Sequence, residues 1–203
     1  MSTLTHRTSI GRSLWLQWVL ASVMGVVAGG YLALGIGWGL ADAVAMVSSE
    51  TAGTAVFGAV FGALIGAGLG AGQSLVLRSQ TGQAGAWALA SALGGGISGA
   101  ISMPITFALF GHQFGAIGFL MVGTLLGAAI GAAQWLVIRN KAARSALWIL
   151  ASAFAVAVGF TLAMPLGGEG REWLALSAMG IVVGAITGGA IPWLLQQSTT
   201  VES

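Results

Sequence analysis

Cysteine and charge are what this sequence lacks. None of its 203 residues is a cysteine, which excludes disulfides, thiolate nucleophiles, iron–sulfur ligation and Cys-type zinc sites. Charged residues make up only 6% of the chain, against about 25% in soluble domains. So little charge cannot cover a water-soluble globule, so we expect lipid to be the solvent. The net charge of +2 rests on few groups and does not indicate nucleic-acid binding.

Long uncharged runs divide the chain into membrane spans. The run from Arg78 to Arg139 contains 60 uncharged residues and is split near its middle by the segment around His112. A spanning helix needs about 20 apolar residues. The runs therefore predict an all-α integral membrane protein with six transmembrane helices, at 14–38, 53–77, 85–110, 114–138, 146–166 and 173–195. Residues 1–13 and 196–203 are predicted to form short cytoplasmic tails.

The cations lie mostly on one side of the predicted spans. An even number of spans places both termini on the same side, and Arg171 is the only Lys or Arg on the opposite side. Cytoplasmic loops carry an excess of Lys and Arg. Both termini are therefore predicted to be cytoplasmic. The cations on the side of the termini are Arg7, Arg12, Arg78, Arg139, Lys141 and Arg144.

Glycine is abundant, with 34 residues, and in the even-numbered spans it recurs every fourth position. Glycines four apart share one helix face, where they let another backbone approach closely. We predict that these glycines form GxxxGxxxG packing faces, and that the even spans meet through them near a pseudo-threefold axis. The predicted helix-packing residues are Gly62, Gly66, Gly70, Gly123, Gly127, Gly131, Gly180, Gly184 and Gly188.

A Trp-x-Leu-Ala-Ser signature opens each odd-numbered span, at Trp18, Trp87 and Trp148. Together with the glycine series, it predicts three tandem helical-hairpin repeats, at about 14–77, 85–138 and 146–195. Tryptophan near a span end is typical of an interfacial aromatic belt, and terminal arginines favour headgroups. We therefore predict interface anchors at the three tryptophans, Arg78 and Arg139.

Gln73 and Gln134 each follow the last glycine of a series by three positions. They share the glycine face, so we expect interhelical hydrogen bonds from their amides. Binding of a pigment, lipid or ion is the alternative. The third series has Ile191 at this position.

Ionisable residues mark intramembrane chemistry, and none lies well inside a predicted span. This argues against a proton-coupled pump, a His-ligated redox carrier and a metalloenzyme. His112 lies in an outer loop, where it is either solvated or an axial ligand to a pigment. Pro104 and Pro165 lie near outer span ends, where we expect them to end helices; a broken helix at a transport site is the alternative.

Two resemblances bear on function. Gly96-Ile-Ser98-Gly99 is similar to the GxSG of rhomboid proteases, but no span supplies the histidine that such a serine needs. The pattern that ends in Gln-x-Leu-Val-(Leu/Ile)-Arg, at Gln73–Arg78 and Gln134–Arg139, resembles small multi-span bacterial membrane proteins of unassigned function. That resemblance implies the bacterial plasma (inner) membrane.

The short loops and the absence of charge inside the spans predict a protein that is not an enzyme. We expect a structural or accessory subunit that packs against other membrane proteins, lipids or pigments, or against its own copies. A small transporter or channel for a neutral or apolar solute is the alternative. No cofactor, metal or nucleic acid is predicted, while a bound lipid or pigment stays open.

Overall fold

In the computed structural model, the described residues are 2–81, 84–111, 115–140 and 145–196. They form six helices and no strand, and all six helices are long and apolar enough to cross a membrane. Six helices of this length and composition are consistent with the predicted multi-pass membrane protein. The helices are α1 (Ser2–Val47), α2 (Glu50–Thr81), α3 (Ala84–Phe110), α4 (Ala116–Ile138), α5 (Leu147–Ala163) and α6 (Glu172–Gln196), with a 3₁₀ turn (Met164–Leu166) after α5.

The extent of α1 and the course of α3 past its proline differ from the predictions. The helix α1 begins at Ser2, so most of the predicted N-terminal tail is helical, and it continues past residue 38 to Val47. The helix α3 continues six residues beyond Pro104. The prediction that Pro104 ends its helix is therefore wrong, because the carbonyl freed by proline does not stop the turns that follow. Pro165, in contrast, lies in the 3₁₀ turn that ends the fifth span.

The helices form a closed ring in chain order. Each helix contacts the next one along the chain, and α6 returns to contact α1. Residues with positive φ allow the tight turns at the end opposite Arg78 and Arg139, as at Gly111 before α4 and Gly170 before α6. Glycine is suited to these positions because it has no Cβ to clash in the left-handed region.

Large side chains fill the described interior of the ring. Midway along the helices the interior is lined by aliphatic side chains and methionine. Toward the end opposite Arg78 and Arg139 it includes Phe61 and Phe160, whose rings meet edge to face at 6.2 Å. The middle-level residues come in pairs from the three even helices: Ile65 and Leu69, Leu126 and Ile130, Met179 and Val183. The described axis is therefore packed with side chains.

The exterior is also apolar. The outward face of α3, for example, carries Leu93, Ile97, Ile101 and Leu109, each more than half exposed. A helix that is apolar all round is typical of a membrane span. The exposed faces thus match a lipid environment.

Candidate functional site

Three tryptophans meet inside the bundle at the end that carries Arg78 and Arg139. We call Trp18, Trp87 and Trp148 the tryptophan triad. Each is at most 3% exposed. Their ring centroids lie 6.5 Å apart for the first two, 6.3 Å for the first and third, and 5.5 Å for the last two. These spacings are within the range of favourable aromatic pairs. The triad closes this end of the axis.

The prediction that these tryptophans form an interfacial belt is wrong. A belt residue presents its ring to lipid headgroups, whereas the triad rings are buried against one another. The physical reason is that each indole N–H finds a polar partner inside the bundle. Arg78 and Arg139 are exposed at the ends of α2 and α4.

Two of those partners are the glutamines. The Trp87 indole N–H donates to Gln73 Oε1 at 3.1 Å, and the Trp148 indole N–H donates to Gln134 Oε1 at 2.8 Å. Both glutamines are at most 2% exposed. Each therefore links its own even helix to the odd helix that follows it in the chain.

The glutamine NH₂ groups point back to the preceding odd helix. Gln73 Nε2 donates to Ser22 Oγ at 3.4 Å, and Gln134 Nε2 donates to Ser91 Oγ at 2.8 Å. Gln134 Nε2 also lies 3.4 Å from Gln73 Oε1, which connects the two even helices. The amides are thus used in holding helices together.

Thr187 provides the third partner. The Trp18 indole N–H donates to Thr187 Oγ1 at 2.9 Å, and that hydroxyl donates to the Val183 carbonyl at 2.6 Å. Thr187 is 2% exposed. We call Gln73, Gln134 and Thr187 the polar ring, because each accepts a hydrogen bond from one tryptophan of the triad.

The glycine faces of the even helices lie against odd helices rather than against each other. A Cβ built on Gly66 or on Gly127 would collide with the backbone carbonyl of Ser91 or of Ser152, respectively. All nine glycines named above lie so close to another helix that an added Cβ would meet one of its atoms within 3 Å. The prediction that these faces meet at the axis is therefore wrong, because the axis is occupied by the large residues beside them.

The contacts of α6 show that its glycine series is displaced by one helical turn relative to the series of α2 and α4. A Cβ on Gly70 would lie 2.6 Å from the Ser91 Cβ, and one on Gly131 would lie 2.7 Å from the Ser152 Cβ. On α6 the glycine that meets the corresponding Ser22 Cβ, at 3.0 Å, is Gly184 and not Gly188. Four residues correspond to about 6 Å along a helix.

Glycine spacing alone therefore aligned the third series wrongly. Thr187, and not Ile191, is at the position of Gln73 and Gln134. Ile191 instead packs with Leu77 and the triad in a separate buried apolar cluster. The signal that could have found Thr187 is its hydroxyl, since Thr187 is the buried polar residue of α6 among those whose burial is described.

Two further predicted candidates are His112 and Ser98. His112 lies outside the described residues, and Ser98 is buried on α3. No group of three or more metal-ligating His, Cys, Asp or Glu side chains occurs in the described part of the chain. The buried polar side chains there are serines, threonines and the two glutamines.

The chain was also compared with known proteins. No family model, curated protein or solved structure matches it. Its function must therefore be inferred from the geometry alone.

Within the described part of the chain, two buried hydroxyls have no hydrogen-bond partner, Ser102 Oγ and Ser152 Oγ. Ser152 is at the position on α5 that Ser22 and Ser91 occupy on α1 and α3. Those two serines accept a hydrogen bond from a glutamine of the next even helix. Thr187 of α6 has no amide to donate, which accounts for the unpartnered Ser152.

Proposed function

We propose that the protein is a non-catalytic structural or accessory membrane subunit whose working surface is its exterior. The observation that carries this proposal is the use of the interior polar groups. The polar ring bonds to the tryptophan triad and to serines of the bundle, and the described interior holds no buried ionisable group. Among the described interior residues, the buried polar groups without a hydrogen-bond partner are the hydroxyls of Ser102 and Ser152.

The internal architecture supports an accessory role. We infer three tandem helical hairpins joined by glycine packing faces, since equivalent glycine, serine and tryptophan contacts recur around the ring. Such packing brings the helices close together in a bundle with an apolar outer wall. That wall is what other membrane proteins, lipids or pigments, or further copies of the chain, would contact.

The proposed setting is the bacterial plasma (inner) membrane with both termini in the cytoplasm. The support is the excess of cations at the end that carries Arg78 and Arg139, together with the acidic residues Asp42, Glu50 and Glu172 at the other end. In this orientation the tryptophan triad closes the cytoplasmic end of the bundle. A permanently open channel is disfavoured, because side chains fill the described axis.

The test is the mass and absorbance spectrum of the particle extracted from its own membrane in mild detergent. We expect a multi-subunit particle well above the 20.3 kDa of the chain. A colourless, solitary particle whose liposomes pass a neutral solute that empty liposomes retain would contradict the proposal.

A further inference from the structure

Side-chain hydrogen bonds join five of the six neighbouring helix pairs. Gln73 joins α1 to α2 and α2 to α3, and Gln134 joins α3 to α4 and α4 to α5. The bond from Trp18 to Thr187 joins α6 to α1, as does the Trp15 indole N–H, which donates to the Ala185 carbonyl at 3.2 Å. Between α5 and α6, no such bond is made by the residues that the structure describes.

The side chains that meet across that remaining seam at Gly159 are apolar. A Cβ on Gly159 of α5 would lie 3.2 Å from Val183 Cγ2, 3.5 Å from the Met179 carbonyl oxygen and 3.6 Å from Met179 Cγ on α6. Lipid tails are as apolar as these side chains, so apolar contact alone gives little preference for helix against lipid. Ser152 Oγ, which is buried and unpartnered on α5, adds a polar group that the closed seam leaves unsatisfied.

We propose that the bundle opens laterally between α5 and α6, admitting lipid chains or other apolar molecules to its interior. Opening here breaks no side-chain hydrogen bond between described residues, whereas each of the other five seams must lose at least one. The inference depends on the contacts around the ring and holds whether or not the protein is an accessory subunit.

The absence of cysteine makes single-cysteine labelling specific. Val183→Cys places a reporter in the α5–α6 seam, and Ile130→Cys is its matched control in the α3–α4 seam. Both parent residues are at most 2% exposed, and each lies four residues before a member of the polar ring. Ile130 packs on α3, since a Cβ on Gly94 would lie 3.0 Å from the Ile130 Cα.

Labelling rates with N-ethylmaleimide are measured in native membranes. We expect Val183→Cys to react about tenfold faster than Ile130→Cys, because the α5–α6 seam lacks one or two interhelical hydrogen bonds and therefore opens more often. Adding Thr187→Gln supplies an amide opposite Ser152 and should bring the two rates within about threefold of each other. Thr187→Val supplies no amide and should not slow the reaction.

The reverse exchange keeps the test decisive if Thr187→Gln fails to fold. Gln134→Thr, combined with Ile130→Cys, removes the amide that bonds α4 to Ser91 of α3. The labelling rate of the Ile130→Cys reporter should then rise. Equal rates for the two parent reporters would overturn the proposal. So would a Val183→Cys rate that Thr187→Gln leaves unchanged in a variant that elutes as its parent does.

Discussion

Replacing Gln134 by leucine would test whether the polar ring stabilises the bundle. The substitution removes three hydrogen bonds, to Trp148 at 2.8 Å, Ser91 at 2.8 Å and Gln73 at 3.4 Å. Interhelical bonds in membranes average about 0.6 kcal/mol, so their loss alone lowers the free energy of unfolding by about 2 kcal/mol. The buried Trp148 N–H, left without its acceptor, can raise the loss to about 4 kcal/mol.

The assay is reversible unfolding of the purified protein by SDS in mixed micelles, followed by tryptophan emission. Gln17→Leu is the control, because Gln17 is exposed and its single bond, to Ser13 Oγ, is 3.5 Å long. We expect that variant to differ from the wild type by less than about 0.5 kcal/mol. The energetic role of the polar ring would be refuted if Gln134→Leu also stayed within that range.

A double-mutant cycle isolates the central pair. Trp148→Phe keeps an aromatic ring in the triad but removes the indole N–H. Combined with Gln134→Leu, it should show a coupling free energy of about 0.6–1.7 kcal/mol. Additive losses would mean that the 2.8 Å contact contributes no net stability.

Two further outcomes follow from the same contacts. Gly127→Leu should prevent folding, since even a Cβ there collides with the Ser152 carbonyl. Gly35→Leu should fold normally, because no atom lies within 4 Å of its added Cβ. The two variants are compared by their elution profiles in detergent, and equal profiles would contradict the described packing. In right-side-out vesicles, an impermeant maleimide should label Met46→Cys but not Ser13→Cys at the opposite end. Met46 is 85% exposed, and Ser13 is also exposed. The reverse labelling pattern would contradict the proposed topology.

Hydropathy was enough to predict the helices, but it could not predict their lateral arrangement. Six apolar runs of sufficient length give six spans, because the bilayer requires nearly every backbone group to bond within its helix. The direction in which a helix faces depends on its neighbours. Trp87, for example, has the sequence position of a belt residue, and only the placement of Gln73 beside it explains why its indole is buried.

The extent of α1 was missed for a related reason. A count of about 20 residues marks where a span can end, and nothing in that count stops a helix that continues beyond it. The α1–α2 hairpin packs along this extra length, since a Cβ added to Gly53 of α2 would lie 2.8 Å from the Ala41 carbonyl oxygen and 2.9 Å from the Ala45 Cβ. Such contacts between distant residues are not visible in the pattern of either helix alone.

The one-turn displacement of α6 separates two kinds of structural information. A series of three glycines determines how closely two helices approach, but it allows more than one register between them. Gly180 and Gly184 fit α1 in one register, and Gly184 and Gly188 would fit it in the next. The bond between Trp18 and Thr187 removes that ambiguity, much as one buried asparagine fixes the alignment of a coiled coil. In this bundle the glycines determine how closely the helices approach, and a few hydrogen bonds determine how the helices are aligned along the membrane normal.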